Sequence, residues 1–320
     1  MTGIGIAGIW TLGLLLLERG GRPLMRRWPL GSRHMGLAGL SMAGALLGAV
    51  AGLWSWPLAW VLGLVAGPLG LALAAASFLL GSRAASFGWW RGTFERPDPT
   101  RPLILVADAH WGEALTGLEA ATQQHPEADW LFLGDAFDLW VALPGLETHA
   151  QTAFLAWVDA RRAAGRWVGF WSGNHEFFLW ERAPHFDLAG EGTGACLAEG
   201  LAFEHGDLIQ GADWRYRLLN MVLRSGPVSL GVRMAPVRHV AAFAHGLAVR
   251  LAMARRPHGG RFPLEAFRRA TERAGGLAFV TGHFHVAVTE GRGQALPWAH
   301  EGVFAMWHQG ALRQLEAGEP

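Results

Sequence analysis

Five short clusters carry carboxylate, amide and imidazole side chains at spacings suited to metal ligation. They are Asp108-Ala109-His110, Gly134-Asp135-Ala136-Phe137-Asp138, Gly173-Asn174-His175-Glu176, His205-Gly206-Asp207 and Gly282-His283-Phe284-His285. Each alone has an ordinary reading. A D-x-H is a turn, a Gly-Asp pair is a helix cap, and an H-x-H is a surface or core histidine pair. The joint occurrence, with each cluster directly after an apolar run, points instead to one site. Hard-oxygen and imidazole donors suit manganese, iron or zinc. The single cysteine, Cys196, excludes an internal disulfide and a thiolate zinc cluster.

The runs that position these clusters read as buried strands. They are Leu103–Ala107, Trp130–Leu133, Trp167–Trp171 and Ala278–Thr281, with the shorter stretch Leu201–Phe203 before His205. Helical patterns lie between them at Leu115–Gln124 and Gln151–Ala164. Strand–helix alternation predicts an α/β layered fold. Such folds place their sites just beyond the carboxyl ends of strands, where the clusters fall.

The first part of the chain differs. Met1–Leu17, Gly36–Trp54 and Pro57–Gly81 carry no charged side chain. A spanning helix needs about 20 apolar residues, so two to three spans are expected within residues 1–86. Gly44, Gly48 and Gly52 share one helix face, where another helix could approach closely. Arg19, Arg22, Arg26, Arg27 and Arg33 precede the second segment; Arg83, Arg91, Arg96 and Arg101 follow the third. Positive loops stay cytoplasmic, so the catalytic part is expected on that side. Residues 87–102, with Pro97, Pro99 and Pro102, read as a linker to a domain over 103–320. The net charge of +1 gives no global pull toward nucleic acid, and no nucleic-acid or protein partner is expected.

The ordered motifs D-x-H, G-D-x-x-D, G-N-H-E, H-G-D and G-H-x-H resemble those of the calcineurin-like metallophosphoesterases, over roughly Leu103 to Leu315. That resemblance implies a four-layer αββα sandwich and two divalent metal ions, manganese foremost, with iron or zinc as alternatives. Asp108, His110, Asp135 and His285 would hold one ion. Asp135, Asn174, His205 and His283 would hold the other, with Asp135 between them. His175 would act as general acid or steady the developing charge. Asp138 and Asp207 would orient ligand histidines, or simply cap turns.

A narrower resemblance is to the UDP-2,3-diacylglucosamine pyrophosphatases of lipid A synthesis. It rests on Gly134–Val141 (GDAFDLWV), on Asp213 and Tyr216 after His205-Gly206-Asp207, and on Trp307 with Gly310. It implies hydrolysis of a lipid-linked nucleotide diphosphate to UMP and 2,3-diacylglucosamine 1-phosphate at the bacterial inner membrane. This chain departs from the family's best-known form at His175, where that form carries arginine, and in its multispanning N-terminal region.

The insert Trp214–Arg261 contains nine arginines and no acidic residue. Basic amphipathic helices bind anionic membrane surfaces, and arginine forks grip phosphates. Arg250 and Arg255 are accordingly expected to bind substrate beside the bilayer, and the narrower resemblance implies the same of Asp213. Two alternatives stand open. One is a membrane-attached phosphoesterase for another lipid phosphate or nucleotide, and the other is a non-catalytic membrane scaffold.

Overall fold

A computed structural model describes residues 92–192, 194–209, 223–224, 226–254, 262–299 and 303–316, all within the unit Ala85–Pro320. The three apolar segments expected to span a membrane lie outside the described residues. Among the described residues, no helix is long and apolar enough to cross a membrane.

In chain order the elements begin with β1 (Thr93–Phe94), β2 (Leu103–Val106), α1 (Leu118–Gln124), β3 (Asp129–Phe132) and β4 (Trp140–Val141). Next come α2 (His149–Ala163), β5 (Val168–Ser172), β6 (Glu176–Phe177), β7 (Leu188–Glu191), β8 (Ala195–Leu197) and β9 (Leu201–Glu204). Three helices follow: α3 (Gly226–Met234), α4 (Val237–Ala254) and α5 (Leu264–Arg273). The chain closes with β10 (Ala278–Thr281), β11 (Val288–Glu290), β12 (Gly293–Ala295), β13 (Val303–His308) and β14 (Ala311–Glu316). One six-stranded sheet runs β14-β13-β2-β3-β5-β7, and a second runs β1-β8-β9-β10-β12-β11. Both mix parallel and antiparallel pairs, so the fold is mixed α/β.

Strand periodicity builds the core. Successive side chains on a strand face opposite ways. Leu103 and Leu105 on β2, Leu131 on β3, Leu201 and Phe203 on β9 and Val280 on β10 therefore meet in one cluster drawn from both sheets. Their neighbours Ile104, Val106, Trp130 and Phe132 point the other way, toward Leu118 of α1 and Phe154 of α2. On the second sheet Ala202 and Phe279 face Phe267 and Ala270 of α5. Aromatic pairs stiffen the α2 side: Phe132 and Phe154 meet edge-to-face with ring centres 4.9 Å apart. Such pairs add about 0.5–1.5 kcal/mol beyond their burial.

The five expected strands are present, shifted by at most one residue at an end. Helix starts move for local reasons. α2 begins at His149 because Thr148 and Gln151 form a reciprocal capping box. α1 begins at Leu118 because Gly117 takes a left-handed φ of 80°.

The segment expected as a linker differs more. From residue 92 it is built into the fold. Thr93 and Phe94 pair with Cys196 and Leu197 of β8. Arg96 is buried, 2.8 Å from Asp129 and 2.5 Å from Glu199. Asp129 also accepts the Trp167 N–H at 2.9 Å. Burial raises the Asp129 pKa above the usual carboxylate range, and the Trp167 N–H and the Arg96 charge oppose that rise. Removing one partner of a buried pair leaves an uncompensated charge, at a cost of about 3–5 kcal/mol. Arg96→Ala is expected to lower unfolding stability by about that amount, read by denaturant titration. A loss under about 1 kcal/mol, the scale of an exposed pair, would show that Asp129 needs no cation.

Candidate metal centre

The five clusters converge because their loops continue the sheet ladders beyond the strands. Asp108 N–H donates to Gly134 O at 3.1 Å, His110 N–H to Asp135 O at 2.9 Å and Trp111 N–H to Ala136 O at 2.8 Å. β4 pairs in parallel with β6, which locks the loop of Asp138 to that of His175. Gly282 N–H donates to His205 O at 2.8 Å, joining the last two clusters. Gly134 has a φ of 88°, and a Cβ there would collide with the Gly173 backbone and the His205 ring. Glycine is what lets the second and third clusters touch.

Five of the expected ligands have left-handed backbones: Asp108 (φ 54°), His110 (44°), Asp135 (51°), His283 (70°) and His285 (55°). Only two other described non-glycine residues do, Phe178 and Gln309. Such conformations cost on the order of 1–3 kcal/mol each and concentrate at functional sites.

Two ligand groups result. Asp108, His110 and His285 bring one donor atom each within 4.8 Å of one another, and Asp135, His205 and His283 do the same. In the first group His110 Nε2 lies 3.4 Å from His285 Nε2, itself 3.4 Å from Asp108 Oδ1. In the second, His205 Nε2 lies 3.4 Å from Asp135 Oδ2 and 3.1 Å from Asn174 Oδ1.

The donor chemistry fits cations. His205 Nδ1 lies 2.7 Å from the Leu133 carbonyl, which can only accept, so Nδ1 carries the proton. The Nε2 lone pair then faces a carboxylate and an amide oxygen. Lone pairs facing one another at this range need a proton or a metal ion between them. Asp108 Oδ1 is buried with no hydrogen-bond partner among the described residues. These groups therefore can hold metal ions.

Electrostatics agree. Burial pushes His110 down to about 3 and His283 down to about 4, so both are neutral at neutral pH, as ligation requires. Burial also works against charge on His205, but the Asp135, Asp108 and Asp207 carboxylates outweigh it and raise its pKa well above the usual value. For Asp135, burial opposes ionisation, but the His175 and His205 charges hold it well below the carboxylate range. For Asp108, burial is likewise outweighed, by the His285 ring 3.4 Å away and the His205 charge, so its pKa lies below the ordinary value.

His175 is half-buried at the rim. Its N–H donates to Asp135 Oδ1 at 2.9 Å, and its ring Nδ1 bonds the Asp138 carbonyl. Its Nε2 is 3.7 Å from Asp135 Oδ2, and its ring centre is 5.0 Å from that of His110. Asp138 Oδ1 stands 3.7 Å from His110 Nδ1, and the Asp207 charge acts on His205 and His283. Asp213 and Arg255 lie outside the described residues. Arg250 is exposed on α4 and makes no hydrogen bond or ion pair with a described residue.

Two neighbours carry no role in the sequence reading. Trp298 stacks on His285 with ring centres 4.8 Å apart and planes 7° from parallel, and no motif marks it. Glu176 closes its cluster, fully buried, and accepts N–H bonds from Gly173 (2.8 Å), Ala136 (2.9 Å) and Asp135 (3.0 Å). Burial and the Asp135 charge push its pKa up to about 7, against the pull of those donors. Glu176→Gln would set an NH2 against N–H donors. Leaving a buried donor unmatched costs about 1–3 kcal/mol, and loosening an outer partner weakens metal binding about 10–100-fold. Melting and metal titration of this variant are expected to show both losses; wild-type values would show that the carboxylate is replaceable.

No protein-family model matches the chain, and no curated protein matches it.

Proposed function

We propose that this chain is a binuclear-metal phosphoester hydrolase of the calcineurin-like class. On this reading it cleaves the pyrophosphate of UDP-2,3-diacylglucosamine to UMP and 2,3-diacylglucosamine 1-phosphate. The observation that carries the reading is the pair of buried lone-pair clusters, Asp108–His110–His285 and Asp135–His205–His283. The cores on both sides of each sheet support a four-layer αββα sandwich as its scaffold.

Asp108, His110, Asp135 and His285 would hold one ion, manganese foremost, and Asp135, Asn174, His205 and His283 the other. Bound together, two such ions supply a nucleophile at neutral pH and draw charge from the phosphoryl oxygens. The rest falls to side chains. The Asp138 carbonyl fixes the His175 ring through Nδ1, which leaves Nε2 to carry a proton to the leaving oxygen. Glu176 holds the Asp135 and Gly173 backbones, so that Asp135 and Asn174 keep their aim. Trp298 braces the His285 ring.

The apolar segments of residues 1–86 would tether this centre to the cytoplasmic face of the inner membrane, beside a lipid-linked substrate. A second reading, another lipid phosphate or a nucleotide, draws on His175, which departs from the pyrophosphatase pattern. The test is UMP and phosphate release by the metal-loaded chain from UDP-2,3-diacylglucosamine and from simple nucleotides. UMP release from the lipid alone supports the first reading, and release only from other esters supports the second. No hydrolysis of any of them would overturn both.

A further inference from the structure

The basic insert, read from sequence as a grip on substrate, turns one of its arginines inward. Arg224 is 6% exposed. Its Nη2 donates to the Gly173 carbonyl, its Nη1 lies 3.4 Å from a Glu191 carboxylate oxygen, and its guanidinium sits 5.5 Å from the Phe177 ring centre. All three partners belong to the stretch from Gly173 to Glu191 that follows β5. The Gly173 carbonyl is half of the peptide that leads into Asn174. A peptide unit is planar, so fixing that oxygen also fixes the Asn174 nitrogen and Cα. The Gly173 N–H is held in turn by Glu176 at 2.8 Å. At the end of this chain, Asn174 Oδ1 stands 3.1 Å from His205 Nε2.

We propose that Arg224 is a positioning residue that couples the basic insert to the second metal group through the Gly173–Asn174 peptide. The proposal rests on the binuclear reading above. It specifies which ion the insert governs: the one held by Asp135, Asn174, His205 and His283. The first group, Asp108, His110 and His285, has no described bond to the insert.

The sign of the effect separates positioning from charge. A cation beside a cation site repels it, so removing Arg224 by Coulomb's law alone would tighten metal binding. Loss of positioning weakens it, by about 10–100-fold for an outer partner of a metal ligand.

The experiment is Mn2+ titration of the full chain followed by electron paramagnetic resonance, which distinguishes isolated from spin-coupled ions. Wild type is expected to take up two ions with a coupled signal. Arg224→Ala is expected to keep the first ion and bind the second about 10–100-fold more weakly, its coupled signal returning only at excess Mn2+. Arg224→Lys keeps the charge but loses the planar fork, and should fall between them. It carries the test alone should the alanine variant not fold. Arg233 on α3 pairs with Glu181 on the same stretch, but both are partly exposed. Arg233→Ala should leave the titration unchanged, since exposed pairs contribute little. Equal uptake by wild type and both Arg224 variants, or loss of both ions together, would overturn the coupling alone. A single ion in wild type would overturn the binuclear reading, and the coupling with it.

Discussion

Asp135→Ala is expected to leave a folded protein that holds fewer than two metal ions and turns over no substrate. Asp135 has the most central position of any expected ligand. One oxygen accepts the His175 N–H at 2.9 Å, and the other lies 3.4 Å from His205 Nε2 and 3.7 Å from His175 Nε2. Its removal strips a charged donor from both expected ions. The electrostatic consequence has a definite sign. Asp135 is the strongest influence raising His205, so in the metal-free variant the His205 pKa should fall. Asp135 also raises Glu176, whose pKa should fall from about 7. The left-handed backbone at this position, with φ of 51°, already strains Asp135, so alanine adds only the small difference between two L-residues there, which does not unfold a domain. Metal analysis, with histidine titration by NMR, checks the prediction. Two full equivalents in an active variant would refute the bridging role.

His175→Ala is expected to act differently, lowering kcat by about 10²–10⁴ while both ions remain bound. The ring is no member of either ligand group. It stands at the rim, fixed by the Asp138 carbonyl, with its Nε2 side toward the expected reaction centre. A group that serves only in the transition state alters kcat and kcat/KM together. A substrate whose leaving group needs no proton should lose far less. The measurement is a kcat comparison on substrates of good and poor leaving group, with metal content alongside. Unchanged kcat on the poor leaving group would remove His175 from the mechanism, and lost metal would make it structural.

Legibility of this fold followed burial. β2, β3, β5, β9 and β10 are apolar on both faces, so their sequences are continuous apolar runs that mark strands without ambiguity. The polar residues after them could then be placed at strand ends. Two-residue strands such as Thr93–Phe94, Trp140–Val141 and Glu176–Phe177 are too short to show any period. Nothing in the sequence therefore separates β1 from a linker or reveals the β4–β6 ladder that stitches two site loops. Arg96 looked like part of a positive flank because nothing local signals that Asp129 and Glu199 await it from 33 and 103 residues away. Arg224 shows the same limit. Composition marks the insert as basic, but only the fold shows that this one guanidinium faces Gly173 rather than solvent.

The left-handed backbones at Asp108, His110, Asp135, His283 and His285 set thermal robustness and chemistry against each other. Glycine adopts that conformation without strain. At each of these five positions, the residue that best suits the backbone is the one that erases an expected ligand. A screen for heat resistance alone would drift toward glycine there and return sturdy, inert proteins. Activity and endurance must be selected together in these loops.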